Sequence, residues 1–363
     1  MKHYRRTIVL TNRPLEEAFV YRDVFIFHPI KRKGIPSCPY AHHFPAFLDF
    51  WVEADEEETE LNLTALDINK TREICTVLTA LSNYEVFTYD SSQKAWGVAA
   101  PSISFADMEP EEKILFNTNA RDSVWFPIVC YTYNEFQNDR IISSLRLTEG
   151  SKKMILDNNP FYFTDNPIES EHEKVIFHKD IETALDAFFS LDEEDRKVVY
   201  SSMVLIAEGI RIGLHHQSIG FLSFISSIET MVGLSNKGVH IHHCEKCGQP
   251  IFGVRKCFLS YLAEYVSKTE YSQKKFDDLY KLRSKIAHTG KLFLTDVEFS
   301  LLNYKDTGEE WLKYLEVQQL ARLSLYRWLL IANKTNTKQF HSLKVPPLYV
   351  RKRSKRKNPP YSL

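Results

Sequence analysis

The spacing of apolar residues changes near residue 178. Before that point short alternating runs dominate. RTIVL at 6–10 and DVFIF at 23–27 alternate as half-buried strands do, and EVFTY and KAWGVA flank the polar DSSQ like a hairpin. VWFPIVCYTY at 124–133 and PFYFTD at 160–165 add aromatic-rich strand candidates. A helix is predicted over 71–82, where Ile74, Val77, Leu78 and Leu81 share one face, and 53–60 reads as an acidic surface loop.

From residue 179 the period is helical. The segments 181–189 and 196–208 are separated by the acidic LDEED, and Gly209 and Gly213 are expected to interrupt the second. The next helix, 218–232, aligns Ile219, Leu222, Ile225 and Ile228, with Glu229 bordering the stripe. Another follows through Val254, Phe258, Tyr261, Leu262 and Tyr265. The last, 311–332, carries Leu312, Leu315, Leu323, Tyr326 and Leu330. Short connections between such helices favour a bundle. The pattern predicts an α+β chain: a mixed α/β domain over 1–178, an all-α bundle over 179–335, and a basic tail over 336–363.

The segment 276–290, FDDLYKLRSKIAHTG, carries the first candidate chemistry. Phe276, Leu279, Tyr280, Ile286 and Ala287 form its apolar stripe, and Arg283 falls on the same face. A guanidinium on an apolar surface is costly unless paired or held for a ligand. Glu229 is a candidate partner for it. His288 sits in the last turn before Gly290, a common helix stop, where the helix dipole favours an imidazolium. One permanent cation and one titratable ring can bind a phosphodiester and move its protons. The pairs Arg22/His28 and Arg211/His216 have similar spacing but lack this helical context.

Length and charge narrow the setting. The 363 residues allow two domains, and 44% hydrophobic with 26% charged residues is ordinary for a soluble globular protein. A formal charge of −1 gives no global attraction for nucleic acid, so local patches must supply it. Arg351, Lys352, Arg353, Lys355, Arg356 and Lys357 are such a patch; they suit RNA phosphates or serve only as a solubilising tail. No apolar run is expected to span or contact a membrane, and six cysteines do not make a disulfide framework in so long a chain. A reducing cytoplasm is the expected compartment.

HIHHCEKCGQPIFGVRKC, at 240–257, offers metal ligands. Cys244 and Cys247 have the spacing at which a tight turn presents two thiolates to zinc, and His243 and Cys257 complete the favoured set. His240, His242, and the more distant Cys38 and His42 are alternatives. Two soft thiolates point to a structural rather than a catalytic zinc.

RSKIAHTG, preceded by a helix ending in SSIET and by a C-x2-C-G-Q segment, resembles the HEPN superfamily, especially its ApeA-like branch. The resemblance covers roughly 179–333. It implies a small helical bundle that dimerises and a metal-independent ribonuclease with an Arg-x4-6-His motif, here Arg283 and His288. Ser284 follows the arginine where active members usually carry Asn, Asp or His. The resemblance further implies a toxin-like or antiphage role, with RNA and a second copy of the chain as partners. Two other readings stay open: a HEPN module that binds or dimerises without cleaving, and a zinc-containing regulatory scaffold.

Overall fold

The computed structural model describes residues 1–30, 44–55, 58–88, 141–147, 150–164, 174–237, 253–298 and 304–336. Its antiparallel sheet has the order β2-β3-β4-β1-β5. The strands are β1 (Lys2–Thr11), β2 (Phe19–Tyr21), β3 (Phe25–Pro29), β4 (Phe44–Glu53) and β5 (Val86–Phe87). Strand β4, unanticipated in the sequence, pairs along the whole of β1 from Lys2↔Glu53 to Thr11↔Phe44. Ala46, Leu48, Phe50 and Val52 alternate onto its core face, the period-2 signature of a strand. On the opposite face Arg6 grips Asp49 with bonds of 2.6 and 2.7 Å, and His28 lies 3.0 Å from the same carboxylate. Burial would raise the Asp49 carboxyl, but Arg6 and His28 outweigh it and hold it low.

Helix α1 (Glu60–Ala80) begins well before the predicted start, capped by Thr59, and lays Ile74, Val77 and Leu78 on the sheet. The described part of PFYFTD, residues 160–164, is a turn rather than a strand. Asn159 accepts from the Phe161 N–H at 2.9 Å and Pro160 cannot join a ladder, so the chain folds back and buries Tyr162 and Phe163. KAWGVA and VWFPIVCYTY lie outside the described residues.

The remaining described helices are α2 (Ile181–Ser190), α3 (Glu193–Gly213), α4 (Gln217–Ser235), α5 (Val254–Tyr265), α6 (Glu270–Thr289), α7 (Leu294–Val297) and α8 (Tyr304–Asn336). Sheet and helices share one continuous apolar core. Phe177 packs edge-on to Phe19 at 4.9 Å, and the Tyr21 hydroxyl donates to Asp186 on α2. Arg322 of α8, only 3% exposed, reaches the Tyr84 carbonyl beside β5, and burial lowers its pKa to about 10.

Gly209 does not interrupt α3, which runs on and ends at Gly213. Propensity is a local cost that packing overrides, and both glycines serve as close-contact points. A Cβ on Gly213 would collide with Tyr314 of α8, and one on Gly220 of α4 would sit 2.6 Å from the Gly209 carbonyl oxygen. Helix α4 is thereby wedged between α3 and α8. By length and mean hydropathy (1.3) it is apolar enough to cross a membrane, contrary to the sequence expectation. Packing on several sides accounts for that composition, since half of the segment is buried. The buried stripes are otherwise narrower than predicted: Val254, Ile219 and Leu312 face outward.

Gly220→Ala is expected to lower stability by about 1–3 kcal/mol through overpacking. Gly233→Ala, on the same helix with open space around it, should raise stability by about 0.5–1 kcal/mol. Urea denaturation of the two variants checks this; equal effects would mean that backbone contact does not seat α4.

Candidate functional site

Helix α6 starts at Thr269, whose hydroxyl accepts from the Ser272 N–H at 3.2 Å. It ends at Gly290, which takes the left-handed conformation (φ 65°) and returns its N–H to the Ile286 carbonyl. Phe276, Leu279 and Ile286 are buried and Tyr280 is half-buried. Ala287, expected on the buried stripe, is exposed. It lies about 100° around the helix from Ile286, enough to carry it off the core face.

Arg283 is held from two sides. Its Nη2 donates to Glu229 Oε2 of α4 at 3.2 Å, and its Nη1 lies 3.3 Å from His288 Nε2. The Arg283 and Glu229 side chains are 26% and 19% exposed, so the pair is partly withdrawn from water. A guanidinium can only donate, so His288 Nε2 must accept in this arrangement, which places the ring proton on Nδ1. This contact directs the Nε2 lone pair at the arginine. His288 itself is exposed, within reach of a ligand.

Tyr280 completes the cluster, and sequence reasoning counted it only as an apolar stripe residue. Its ring centroid lies 5.9 Å from the Arg283 guanidinium and 5.1 Å from the Phe258 ring. Burial, and then the adjacent Glu229 carboxylate, raise its phenol pKa. The legible signal was position, because a tyrosine three residues before an arginine on one helix face shares its surroundings. The second Glu229 oxygen, Oε1, is buried and accepts no hydrogen bond at normal distance among the described residues. Ser284 is half-buried, and its hydroxyl makes no hydrogen bond among the described residues.

The structure thus brings together Glu229, Arg283 and His288, with Tyr280 beneath them. The other Arg/His pairs are separated by their partners. Arg22 bonds Asp186 while His28 lies against Asp49. Arg211 bonds Glu208 at 2.8 Å and lies 3.6 Å from Glu85. Cys257 is a free, half-buried thiol in the first turn of α5. His243, Cys244 and Cys247 lie outside the described residues, as do the alternative ligands His240, His242, Cys38 and His42 and the basic tail at 351–357. Among the described residues no three metal-ligating side chains converge.

Chemically, the site offers a fixed cation with donors left over for an oxyanion, and an exposed imidazole, a group that can accept or donate a proton. Comparison with family models, curated proteins and solved structures found no match, so these residues alone carry the functional reading.

A double-mutant cycle on Glu229→Ala and Arg283→Ala is expected to give a coupling of about 1–2 kcal/mol, since either single change strands a partly buried charge. Urea denaturation of the four proteins measures it. Additive effects would mean that the pair contributes nothing to stability.

Proposed function

We propose that the chain is a metal-independent endoribonuclease of HEPN type that works as a homodimer. The observation that carries this reading is the contact between Arg283 and the exposed His288, with Glu229 bracing the arginine from behind. In such a reaction the 2′-hydroxyl attacks the neighbouring phosphorus and His288 Nε2 takes its proton. The 5′-oxygen leaves with a proton from a second group, giving a 2′,3′-cyclic phosphate and a 5′-hydroxyl. Arg283 stabilises charge on the phosphoryl oxygens. One chain supplies one imidazole, and a two-fold axis beside α6 supplies the second. The basic residues at 351–357 add affinity for phosphates in any sequence. The resemblance gives the biological setting, a toxin-like or antiphage effector.

A structural zinc belongs to the same reading. Cys257, at the exit of the 238–252 segment, is a free thiol suited to join Cys244, Cys247 and His243. The zinc would fasten that segment to α5 and supply stability, not chemistry. One observation favours a binding module over a nuclease: Ser284 stands where active members of the family usually carry Asn, Asp or His.

Purified wild type is expected to cut total RNA in the presence of chelator, and Arg283→Ala and His288→Ala to cut about 100- to 1000-fold more slowly while staying folded. Wild-type rates in both folded variants would discard the site, and RNA binding without cleavage by wild type would favour the binding module. Protein prepared without chelator should contain zinc by elemental analysis, and Cys244→Ser or Cys247→Ser should lose the zinc and stability together. A wild-type metal content near zero would rule the zinc out.

A further inference from the structure

The corner where α3 turns into α4 lies one short loop away from His288. The Phe293 N–H donates to Ser218 Oγ at 2.7 Å, and Asp296 accepts from the Gln217 and Ser218 N–H groups at 2.7 Å each. Gly220 and Gly213 touch across the turn. These bonds bring together the segments that carry Leu214, Ile219, Leu292 and Val297, and all four are exposed, Leu214 to 68% and Val297 to 66%. Four uncovered aliphatic side chains around one turn make an apolar patch rather than scattered surface residues.

The charges beside the patch are unbalanced. Glu229 is committed to Arg283, Asp296 to the start of α4, and Glu310 to the Leu294 N–H at 2.7 Å. Glu298, at the far margin, is the exception. Elsewhere on α6, Lys281 is paired with Asp277 at 2.8 Å and Lys275 with Glu316, whereas Lys274 is exposed near the opposite end. Lys285 and Lys291, flanking His288, are exposed and have no carboxylate partner among the described residues. A helix C-terminus accounts for lysines at this end but not for bare leucines beside them. Burying the corner against a second copy would cover the leucines but would desolvate unpaired cations. Single-stranded RNA satisfies both features, because its phosphates pair with lysines and its unstacked bases offer apolar faces.

We propose that this corner holds nucleotides of a single-stranded RNA that lie beyond the two flanking the scissile bond, with phosphates on Lys285 and Lys291 and bases on Leu214, Ile219 and Leu292. The proposal rests on the ribonuclease reading of the Arg283–His288 site and extends that site along the strand to the corner. A duplex, whose base faces are stacked away, gains only the lysine contacts.

The test uses full-length protein and a short fluorescent 2′-O-methyl oligonucleotide, which lacks the attacking hydroxyl, either single-stranded or annealed to its complement. Fluorescence anisotropy across a salt series should show tighter binding of the single strand. Lys285→Ala with Lys291→Ala should flatten the log–log salt dependence by about 1.4, two phosphates at roughly 0.7 each. Ile219→Ser with Leu292→Ser should weaken binding about fivefold or more, the low end for lost base stacking, and leave the salt slope alone. All variants should cut a dinucleotide RNA, too short to reach the corner, at the wild-type rate. Unchanged binding in both double variants, with wild-type RNA cleavage intact, overturns the corner and leaves the catalytic reading standing. Altered binding in a protein that cuts no RNA does the reverse. Equal affinity for duplex and single strand, or a smaller sedimenting species in Ile219→Ser with Leu292→Ser, overturns the proposal, the latter by assigning the patch to a contact between chains.

Discussion

Two helices can approach as closely as α3 and α4 do only where the side chains between them end at hydrogen. Gly209, Gly213 and Gly220 meet that condition, and Tyr314 of α8 closes the gap by donating its hydroxyl to the Gly209 carbonyl at 3.1 Å. The position of α4 follows from this contact, and much of the site follows from α4. Glu229 on α4 fixes Arg283 of α6, and Ser218 and the N-terminal N–H groups of α4 fix the chain that leaves His288. Helix α6 is therefore clamped to α4 at two levels, with the reactive pair between them.

The electrostatics of the pair follow from its partial burial. A lone guanidinium in that position would cost several kcal/mol in lost hydration, and the Glu229 carboxylate offsets the cost. A carboxylate alone would neutralise the cation for any ligand. The site avoids this by presenting one face of Arg283 to Glu229 and the other to His288. The bare Oε1 of Glu229 and the raised Tyr280 phenol mark the dry side of the arrangement, and the exposed imidazole marks its wet side.

The convergence of Glu229, Arg283 and His288 was legible because helical spacing states which side chains share a face and which helix end they occupy. What was not legible depends on contacts between segments distant in sequence. Gly209 looks like a break by propensity, yet its value lies in what packs against it 105 residues away, at Tyr314. Tyr280 looked like core because its hydroxyl has a role only once Glu229 is beside it. PFYFTD has strand composition, but the Asn159–Pro160 pair directs a turn. FPAFLDFWVE does alternate, and β4 could have been found by counting its period rather than its composition. The outward-facing Ile219 sits on a valid stripe, but the stripe is wider than the surface that α3 and α8 offer to cover it.

The central claim is that Arg283 and His288 form a catalytic centre shared between two copies of the chain. Mixing folded but inactive Arg283→Ala and His288→Ala proteins tests it most directly, because each heterodimer keeps one arginine and one histidine in the cleft. Slow RNA cleavage in the mixture, above either parent alone but below wild type because one of the two imidazoles is missing and water must serve as the proton donor, is the predicted result. A wild-type protein that cleaves RNA while remaining monomeric at assay concentration would contradict the account.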